Sequence, residues 1–205
     1  MLTSSLQLKS QDLINGNIEL PAYRLFELNH MMEQESSLLF TRSEEYNKWT
    51  KDLEKMQGDH EVPLLYKDIL REYQFDGFKW LRLMEHYGFG GILADDMGLG
   101  KTLQMIAYLE SMKGNGTHLV ITPASLLLNW QSEIEKFSSS LKVLCLYGNK
   151  EYRSEQIKHL SDYDVVITSY DYLRRDIELY ENISFHTVVL DEAQNIKNPK
   201  TRNAI

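Results

Sequence analysis

The sequence predicts an α/β fold with a doubly wound parallel sheet, which begins at about residue 64 of the 205-residue chain. Short runs rich in β-branched residues alternate with segments whose apolar residues recur at helical spacing. Two of these runs, LVIT (119–122) and TVVL (187–190), are apolar on both faces, as in strands covered by helices on both sides. Regular alternation of this kind is typical of a layered parallel sheet.

The order of the elements follows from the same periodicity. We expect strands at 90–94, 118–122, 143–147, 164–169 and 185–191. We expect helices at 73–86, 101–113, 125–137, 151–160 and 170–179. The first part of the chain has a mainly helical pattern, which Gly58-Asp59 and Pro63 interrupt. The predicted division is therefore a small N-terminal segment, 1–63, and an α/β domain, 64–205.

Composition limits the classes of function. Hydrophobic residues make up 42% and charged residues 25% of the chain, so a core of ordinary size can form. No apolar run approaches the ~20 residues that a membrane helix needs, and we expect no membrane partner. The net charge of -8 argues against a protein that simply coats nucleic acid. The single cysteine, Cys145, fits a reducing compartment.

The turn after the first predicted strand has the pattern of a phosphate-binding loop that opens a helix. Its glycines allow a tight turn that brings backbone N–H groups to an anion. Lys101 can reach the β- and γ-phosphates of ATP, and the Thr102 hydroxyl is placed to bind Mg²⁺. The nucleotide is expected over Met97, Gly98, Leu99, Gly100, Lys101 and Thr102. Asp95 stands where the strict pattern has glycine, so an ordinary β–α turn remains an alternative at this point.

Two carboxylates follow the last predicted strand, HTVVLDEAQ (186–194). Asp191 comes at the carboxyl end of the strand, where ligands bind in open α/β sheets. It can hold Mg²⁺ directly or through water, and Glu192 can polarise the attacking water as a general base. The alternative is a pair of solvated carboxylates at a strand end. The phosphate loop upstream favours the metal and base roles.

Asp-Glu-Ala-Gln (191–194) together with DDMGLGKT (95–102) resembles the superfamily-two helicases, and within them the Swi/Snf-type ATPases. Three further segments are similar to the family's adenine-reading segment and its two nucleic-acid-contact motifs: LREYQFDGFKWL (70–81), LVITPASLLLNWQSEIEKF (119–137) and DVVITSYDYLRRD (164–176). Aspartate at position 95 is usual in this family. The five motifs occur in the family's order over about 64–205, and they imply a RecA-like P-loop NTPase lobe 1.

The resemblance implies roles for further residues. Gln74 would hydrogen-bond the adenine edge, Arg71 would pack beside it, and Gln194 would complete the nucleotide site. The DNA backbone would be contacted by small polar side chains, namely Ser125, Asn129, Thr168 and Ser169. Ser125 and Ser169 each have an alternative role as the cap of the helix that follows.

The resemblance also implies a function. Swi/Snf-type ATPases track along double-stranded DNA and displace bound proteins, generally without separating the strands. DEAQNIKNP (191–199) is similar to the bacterial branch, so we expect a cytoplasmic, nucleoid-associated protein. A second RecA-like lobe of the same full-length chain would supply arginines to the γ-phosphate. We therefore expect the 205 residues to be an incomplete lobe that binds ATP weakly and hydrolyses it negligibly by itself.

Two other functions stay open at this point. One is the first lobe of an RNA helicase, and the other is a nucleotide-dependent regulatory module that never turns over. The segments LREYQ (70–74) and DEAQNIKNP (191–199) favour the DNA motor over the RNA helicase. Glu192 argues against a pure nucleotide binder, because binding alone does not need a general base.

Overall fold

The computed structural model describes residues 13–14, 17–18, 43–55, 61–96 and 98–196 of the chain. The chain divides into two compact units. One contains the chain up to His60 together with Lys79–Ile92, and the other contains Glu61–Phe78 and the residues from Leu93 onward. The sequence-based division into 1–63 and 64–205 stays a prediction.

The first unit contains a short antiparallel pair and a helix. β1 (Leu13–Ile14) pairs with β2 (Asn17–Ile18). The helix α1 (Glu44–Lys55) begins after Ser43, whose Oγ accepts a hydrogen bond from the backbone N–H of Tyr46 at 3.1 Å. Such a cap satisfies one of the free N–H groups at a helix start, and acidic residues in the first turn favour the same end. The helical spacing of this stretch is confirmed.

The other elements follow one another as alternating helices and strands. In chain order they are α2 (Glu72–His86), α3 (Lys101–Ser111), β3 (His118–Thr122), α4 (Leu127–Phe137), β4 (Val143–Cys145), α5 (Lys150–Ile157), β5 (Val165–Ser169), α6 (Tyr170–Asp176) and β6 (Thr187–Leu190). Four of the five predicted strands and all five predicted helices are confirmed, with ends that shift by a few residues. No helix among the described residues is long and apolar enough to cross a membrane.

Four strands form a parallel sheet in the order β4-β5-β3-β6. His118 at the start of β3 is in register with Val165 of β5 and Thr187 of β6. Every residue of β3 and β5 is buried, so both faces of the central strands are covered. This arrangement confirms the α/β fold class and places the carboxyl ends of all four strands at one edge.

Apolar side chains from the strands and the following helices make the core. One cluster of buried residues consists of Leu119, Ile121, Leu144, Leu146, Ile157, Leu160, Val166, Tyr170 and Tyr180. Burying an aliphatic side chain of this size contributes about 1.5–3 kcal/mol, so these contacts supply much of the stability of the sheet. They also fix the strand ends from which the candidate site residues emerge.

The prediction of a strand at 90–94 is wrong. These residues have no regular secondary structure, and Ile92 is 85% exposed. A strand needs a hydrogen-bonded neighbour, and none of the strands in the described part of the chain pairs with this segment. The Trp80 ring instead occupies the space beside Gly91, where an added Cβ would lie 2.2 Å from it. The apolar run at 90–94 suggested a strand, but such a run does not show whether a neighbouring strand is available to pair with it.

A buried ion pair joins α5 to α6. The Arg153 guanidinium donates two hydrogen bonds to Asp176, with Nε–Oδ2 and Nη2–Oδ1 distances of 2.6 and 3.0 Å. It also donates to the Gly148 carbonyl and lies over the Tyr172 ring. Both charged side chains are nearly inaccessible to water, so removing either one would leave an uncompensated buried charge. The pair therefore fixes the helix that follows β5.

His118 is a buried histidine at the start of β3. Its exposed fraction is 0%, and neither ring nitrogen has a hydrogen-bond partner among the described residues. The ring meets that of His186 edge-on, with centroids 5.4 Å apart. Burial, and secondarily His186, lowers the pKa of His118 from 6.5 to about 4. The folded protein therefore holds this side chain neutral.

This neutral histidine makes stability depend on pH. As the pH falls below 6.5, the unfolded chain binds a proton at residue 118 before the folded chain does, so unfolding becomes easier. The contribution is fully present above pH 6.5, and about 3 kcal/mol of it is lost by pH 4. We expect His118→Phe to reduce the slope of the unfolding free energy against pH in this window, measured by urea denaturation. His159→Gln, which removes an exposed histidine, is the control, and equal slopes for all three proteins would contradict the prediction.

Candidate nucleotide and metal site

The predicted phosphate loop leads into α3 through two glycines in the left-handed region. Gly98 has φ 85° and Gly100 has φ 75°, a conformation that side chains disfavour by about 1–2 kcal/mol. A Cβ at Gly100 would also lie 2.4 Å from Nε2 of Gln74. No side chain caps the N-terminus of α3, so its first N–H groups are available to an anion. The loop therefore has the backbone that phosphate binding requires.

Lys101 is the first residue of α3, and its ammonium group lies on the loop itself. Nζ donates to the carbonyl oxygens of Asp95 and Asp96, at 2.6 and 3.0 Å. These two carbonyl oxygens are partners of the ammonium charge. A nucleotide would replace the two carbonyls with phosphate oxygens, which carry more negative charge and bind an ammonium group more strongly.

The Gln74 side chain contacts the same loop. Its Nε2 donates to the Leu99 carbonyl at 2.9 Å, and its Oε1 accepts from the Arg71 backbone N–H at 2.9 Å. The Tyr73 hydroxyl donates to the same Leu99 carbonyl at 3.2 Å. The Arg71 side chain is exposed beside them. The contact of Gln74 with adenine stays a prediction, and it requires the amide to exchange these partners for the base.

Gln104 is a loop-supporting residue that the sequence analysis missed. This fully buried side chain on α3 donates from Nε2 to Oδ2 of Asp95 at 3.2 Å. Its other end lies against Gly77, where a Cβ would approach Oε1 to 1.9 Å. Asp95 is the residue that departs from the strict loop pattern. This hydrogen bond holds its carboxylate against a buried amide. No sequence signal distinguishes this glutamine from a surface residue of a helix.

Asp191 follows β6, and protein groups hold both its backbone and its side chain. Its N–H donates to the Ile121 carbonyl at 2.8 Å, and its own carbonyl accepts from the Tyr170 hydroxyl at 2.7 Å. Its carboxylate Oδ2 accepts from Thr122 Oγ1 at 2.9 Å and from Trp130 Nε1 at 2.8 Å. Trp130 is buried, and its hydrogen bond and those of Thr122 and Tyr170 were not predicted.

Glu192 has an unusual backbone. Its φ of 52° makes it the one non-glycine residue in the left-handed region within the described part of the chain. Strained residues of this kind occur most often at functional sites. The Glu192 N–H donates to Asp191 Oδ1 at 3.0 Å, and the Gln194 amide donates to the Glu192 carboxylate. Both carboxylates are therefore oriented by neighbouring donors.

The donor set fits a magnesium ion held together with a nucleotide. Thr102 offers a hydroxyl and Asp191 a carboxylate, and Mg²⁺ usually takes one or two such protein oxygens together with phosphates and water. Among the described residues no group of three or more histidine, cysteine, aspartate or glutamate side chains could hold a metal alone. A shared ion between Thr102 and Asp191 stays a prediction. Met97, the remaining predicted nucleotide contact, lies outside the described residues.

The four predicted DNA contacts separate into two pairs. Ser125 and Asn129 are exposed in and after the short 3₁₀ turn Ala124–Leu126. Ser125 does not cap α4, because the capping position is Leu126 and no side chain bonds there. Thr168 and Ser169 are each 1% exposed, so neither side chain reaches the surface. Ser169 caps α6 by accepting from Tyr172 N at 3.2 Å, which is the alternative role that the sequence left open.

Comparison with protein families decides the relationship that these motifs suggest. The model of the SNF2-related domain matches residues 73–204. The chain belongs to this SNF2-related family. Its relatives include YwqA of Bacillus subtilis, named as an ATP-dependent helicase/translocase, with 43% identity over 151 residues. Helicase SWR1 of Gibberella zeae is 42% identical over 149 residues.

A solved SWI2/SNF2 structure is similar to this chain in fold as well as in sequence. The Sulfolobus solfataricus SWI2/SNF2 ATPase core in complex with double-stranded DNA is 42% identical, with a TM-score of 0.61. The match covers 72% of this chain and 30% of that one. For the curated relatives the matched region covers 71% of this chain and 16% of YwqA, and 69% of this chain and 9% of SWR1. The chain therefore corresponds to a small part of these longer relatives.

The loop geometry generates a test of nucleotide binding. We expect Lys101→Ala to weaken binding of ATP·Mg²⁺ roughly 10- to 100-fold, because it removes charged hydrogen bonds to phosphate. Isothermal titration calorimetry measures the affinity. Lys158→Ala, which removes an exposed lysine immediately after α5, is the matched control and should bind ATP as the unaltered protein does. Equal affinities for the two variants would show that the nucleotide does not lie on this loop.

Proposed function

We propose that this SNF2-related domain is the ATP-binding first lobe of a DNA-dependent ATPase that tracks on double-stranded DNA and remodels protein–DNA complexes. The observation that carries the proposal is the Asp191 carboxylate, held at the carboxyl end of β6 and followed by the strained Glu192. A glycine-rich loop with an uncapped helix start lies in the same chain. In this proposal the glycine-rich loop binds the nucleotide, and Glu192 activates the water.

Each group has a defined task in the proposed reaction. Lys101 and the first N–H groups of α3 bind and orient the phosphates. Thr102 and Asp191 would hold Mg²⁺, which supplies charge neutralisation at the phosphoryl oxygens. Glu192 orients the attacking water and accepts its proton. Gln194, which donates to the Glu192 carboxylate, limits the positions that this base can adopt.

The proposed DNA surface contains Ser125 and Asn129. Both are exposed and follow the carboxyl end of β3, the strand beside β6. Neutral hydroxyl and amide groups of this kind contact phosphate oxygens and fix a protein's position on a duplex without reading bases. The structural relative bound to double-stranded DNA supports the choice of duplex. A net charge of -8 is compatible with this surface, because neutral donors make the contacts and a second lobe would supply cations.

The whole protein completes the proposed motor. A second RecA-like lobe of the full-length chain would close over the nucleotide and provide arginines, each worth roughly 10³–10⁵ in rate. Closing the site also removes water, which strengthens the electrostatic interactions within it. We place this motor in the bacterial cytoplasm, on the nucleoid.

Stimulation of ATP hydrolysis tests the proposal. We expect the protein, assayed with its remaining lobe, to hydrolyse ATP faster with duplex DNA than with single-stranded DNA or RNA of equal length. A steady-state assay that follows phosphate release measures the three rates. Stimulation by RNA alone would identify an RNA helicase lobe, and binding of ATP with no hydrolysis under any condition would identify a regulatory module.

The role of Glu192 generates a second test. We expect Glu192→Gln to retain ATP·Mg²⁺ binding and to lower DNA-stimulated turnover by roughly 10²–10⁴, because it removes the general base. Calorimetry gives the affinity and phosphate release gives the rate. Glu151→Gln, an exposed carboxylate in the first turn of α5, controls for the loss of one negative charge. Turnover near the normal rate in the Glu192 variant would show that another group activates the water.

A further inference from the structure

The nine-residue segment from Thr122 to Trp130 is attached to Asp191 at both ends. Thr122, the last residue of β3, and Trp130, in the second turn of α4, donate to the same carboxylate oxygen, Oδ2. The indole N–H is a single donor on a side chain that is only 3% exposed. Thr122 is fully buried. Asp191 Oδ2 is therefore closed to water on the side of this segment.

The same segment contains both exposed residues of the proposed DNA surface. Ser125 lies in the turn between β3 and α4, and Asn129 immediately precedes Trp130. Successive residues of a helix point about 100° apart, so Asn129 faces outward while Trp130 faces the core. A displacement of this turn and helix at the surface therefore moves the Trp130 donor, while Thr122 stays in β3, paired with Ser169 of β5.

The backbone of Asp191 is fixed independently of this segment's side chains. Its N–H is held by the Ile121 carbonyl of β3, and its carbonyl is held by Tyr170 of α6. The orientation of the carboxylate is set by three donors, Thr122 and Trp130 on Oδ2 and the Glu192 N–H on Oδ1. Outer donors of this kind set the orientation of a metal-binding carboxylate and usually change metal affinity or activity by about 10- to 100-fold.

We propose that the segment Thr122–Trp130 couples DNA contact to the metal-binding carboxylate, with Trp130 as its positioning residue. The inference rests on the proposed function for its DNA surface and for the metal role of Asp191. Contact of Ser125 and Asn129 with phosphates fixes the turn and the start of α4. The fixed helix holds the indole N–H on Oδ2, so the carboxylate keeps the orientation in which Asp191 would bind the ion. DNA thus improves metal binding without touching the nucleotide.

The alternative is that the hydrogen bond only satisfies a buried indole. An unpaired buried donor is destabilising, so this role by itself predicts lower stability for a variant with no change in the response to DNA. The two roles differ in one measurable property, which is whether DNA changes the affinity for the metal ion.

Trp130→Phe tests the coupling, because it keeps an aromatic ring and removes the N–H donor. Mn²⁺ binding is titrated by electron paramagnetic resonance with a non-hydrolysable ATP analogue, with and without duplex DNA. We expect DNA to tighten Mn²⁺ binding in the unaltered protein and to have little effect in the variant, whose Mn²⁺ affinity falls by about tenfold. Tyr152→Phe, which removes a side-chain donor from an exposed aromatic ring on α5, is the control and should keep the full response to DNA.

Thr122→Val provides a second variant of nearly equal volume, in case the indole is needed for folding. We expect it to reduce the DNA effect on Mn²⁺ binding as well, because it removes the other donor to Oδ2. Thermal unfolding confirms that each variant is folded under assay conditions. If both folded variants keep the full effect of DNA on Mn²⁺ binding while DNA still stimulates hydrolysis by the unaltered protein, the coupling is overturned and the proposed function is not. Absence of that stimulation in the unaltered protein overturns the proposed function, and the coupling with it.

Discussion

The parallel pairing of β3 with β6 is the constraint on which the candidate site depends. It places Ile121 opposite Leu190, and the next residue, Asp191, then donates its N–H to the Ile121 carbonyl at 2.8 Å. This register sets Asp191 beside Thr122 at the common carboxyl edge. A slip of one residue would turn the carboxylate to the other face of the sheet, away from Thr122 and Trp130. The hydrophobic core that fixes the register thereby fixes the chemistry as well.

Side chains of the protein hold the predicted phosphate loop through its backbone carbonyls. Lys101 lies on the carbonyls of Asp95 and Asp96, and Gln74 donates to that of Leu99. Each of these protein contacts uses a group that the nucleotide would also use. Binding therefore exchanges hydrogen bonds instead of only adding them, so the net gain is smaller than the count of contacts with ATP suggests. Gln74 belongs to the segment 70–81, which resembles the adenine-reading segment, and it contacts the loop directly. The same exchange of hydrogen bonds would therefore link this segment to the phosphates.

Sequence reasoning reached the elements and the strand-end residues, because both follow from local patterns. β3 was predicted at both ends, and Asp191 was correctly predicted at the carboxyl end of a strand. The expectation that both faces of this strand are covered is wrong, because Val188 and Leu190 of β6 are 50% and 42% exposed. The errors and omissions concern non-local contacts. A strand at 90–94 would need a neighbour, and the donors to Asp191 lie 61 and 69 residues away from it in the chain. Burial and the hydrogen bond to Tyr172 favour the capping role of Ser169, which the sequence analysis gave as the alternative to DNA contact.

The structure shows how two carboxylates of this acidic chain are held. Asp95 and Asp191 each accept a hydrogen bond from a buried side chain, so these carboxylates are oriented by the fold instead of facing the surface freely. The exposed residues of the proposed DNA surface are neutral, and they offer donors that do not depend on net charge. Phosphate contacts through neutral groups release fewer counterions than contacts through lysine and arginine, and they lose less affinity as salt rises. Under the proposed function, such a lobe would hold the duplex weakly by itself and release it easily, as one half of a two-lobed motor must when it moves along DNA.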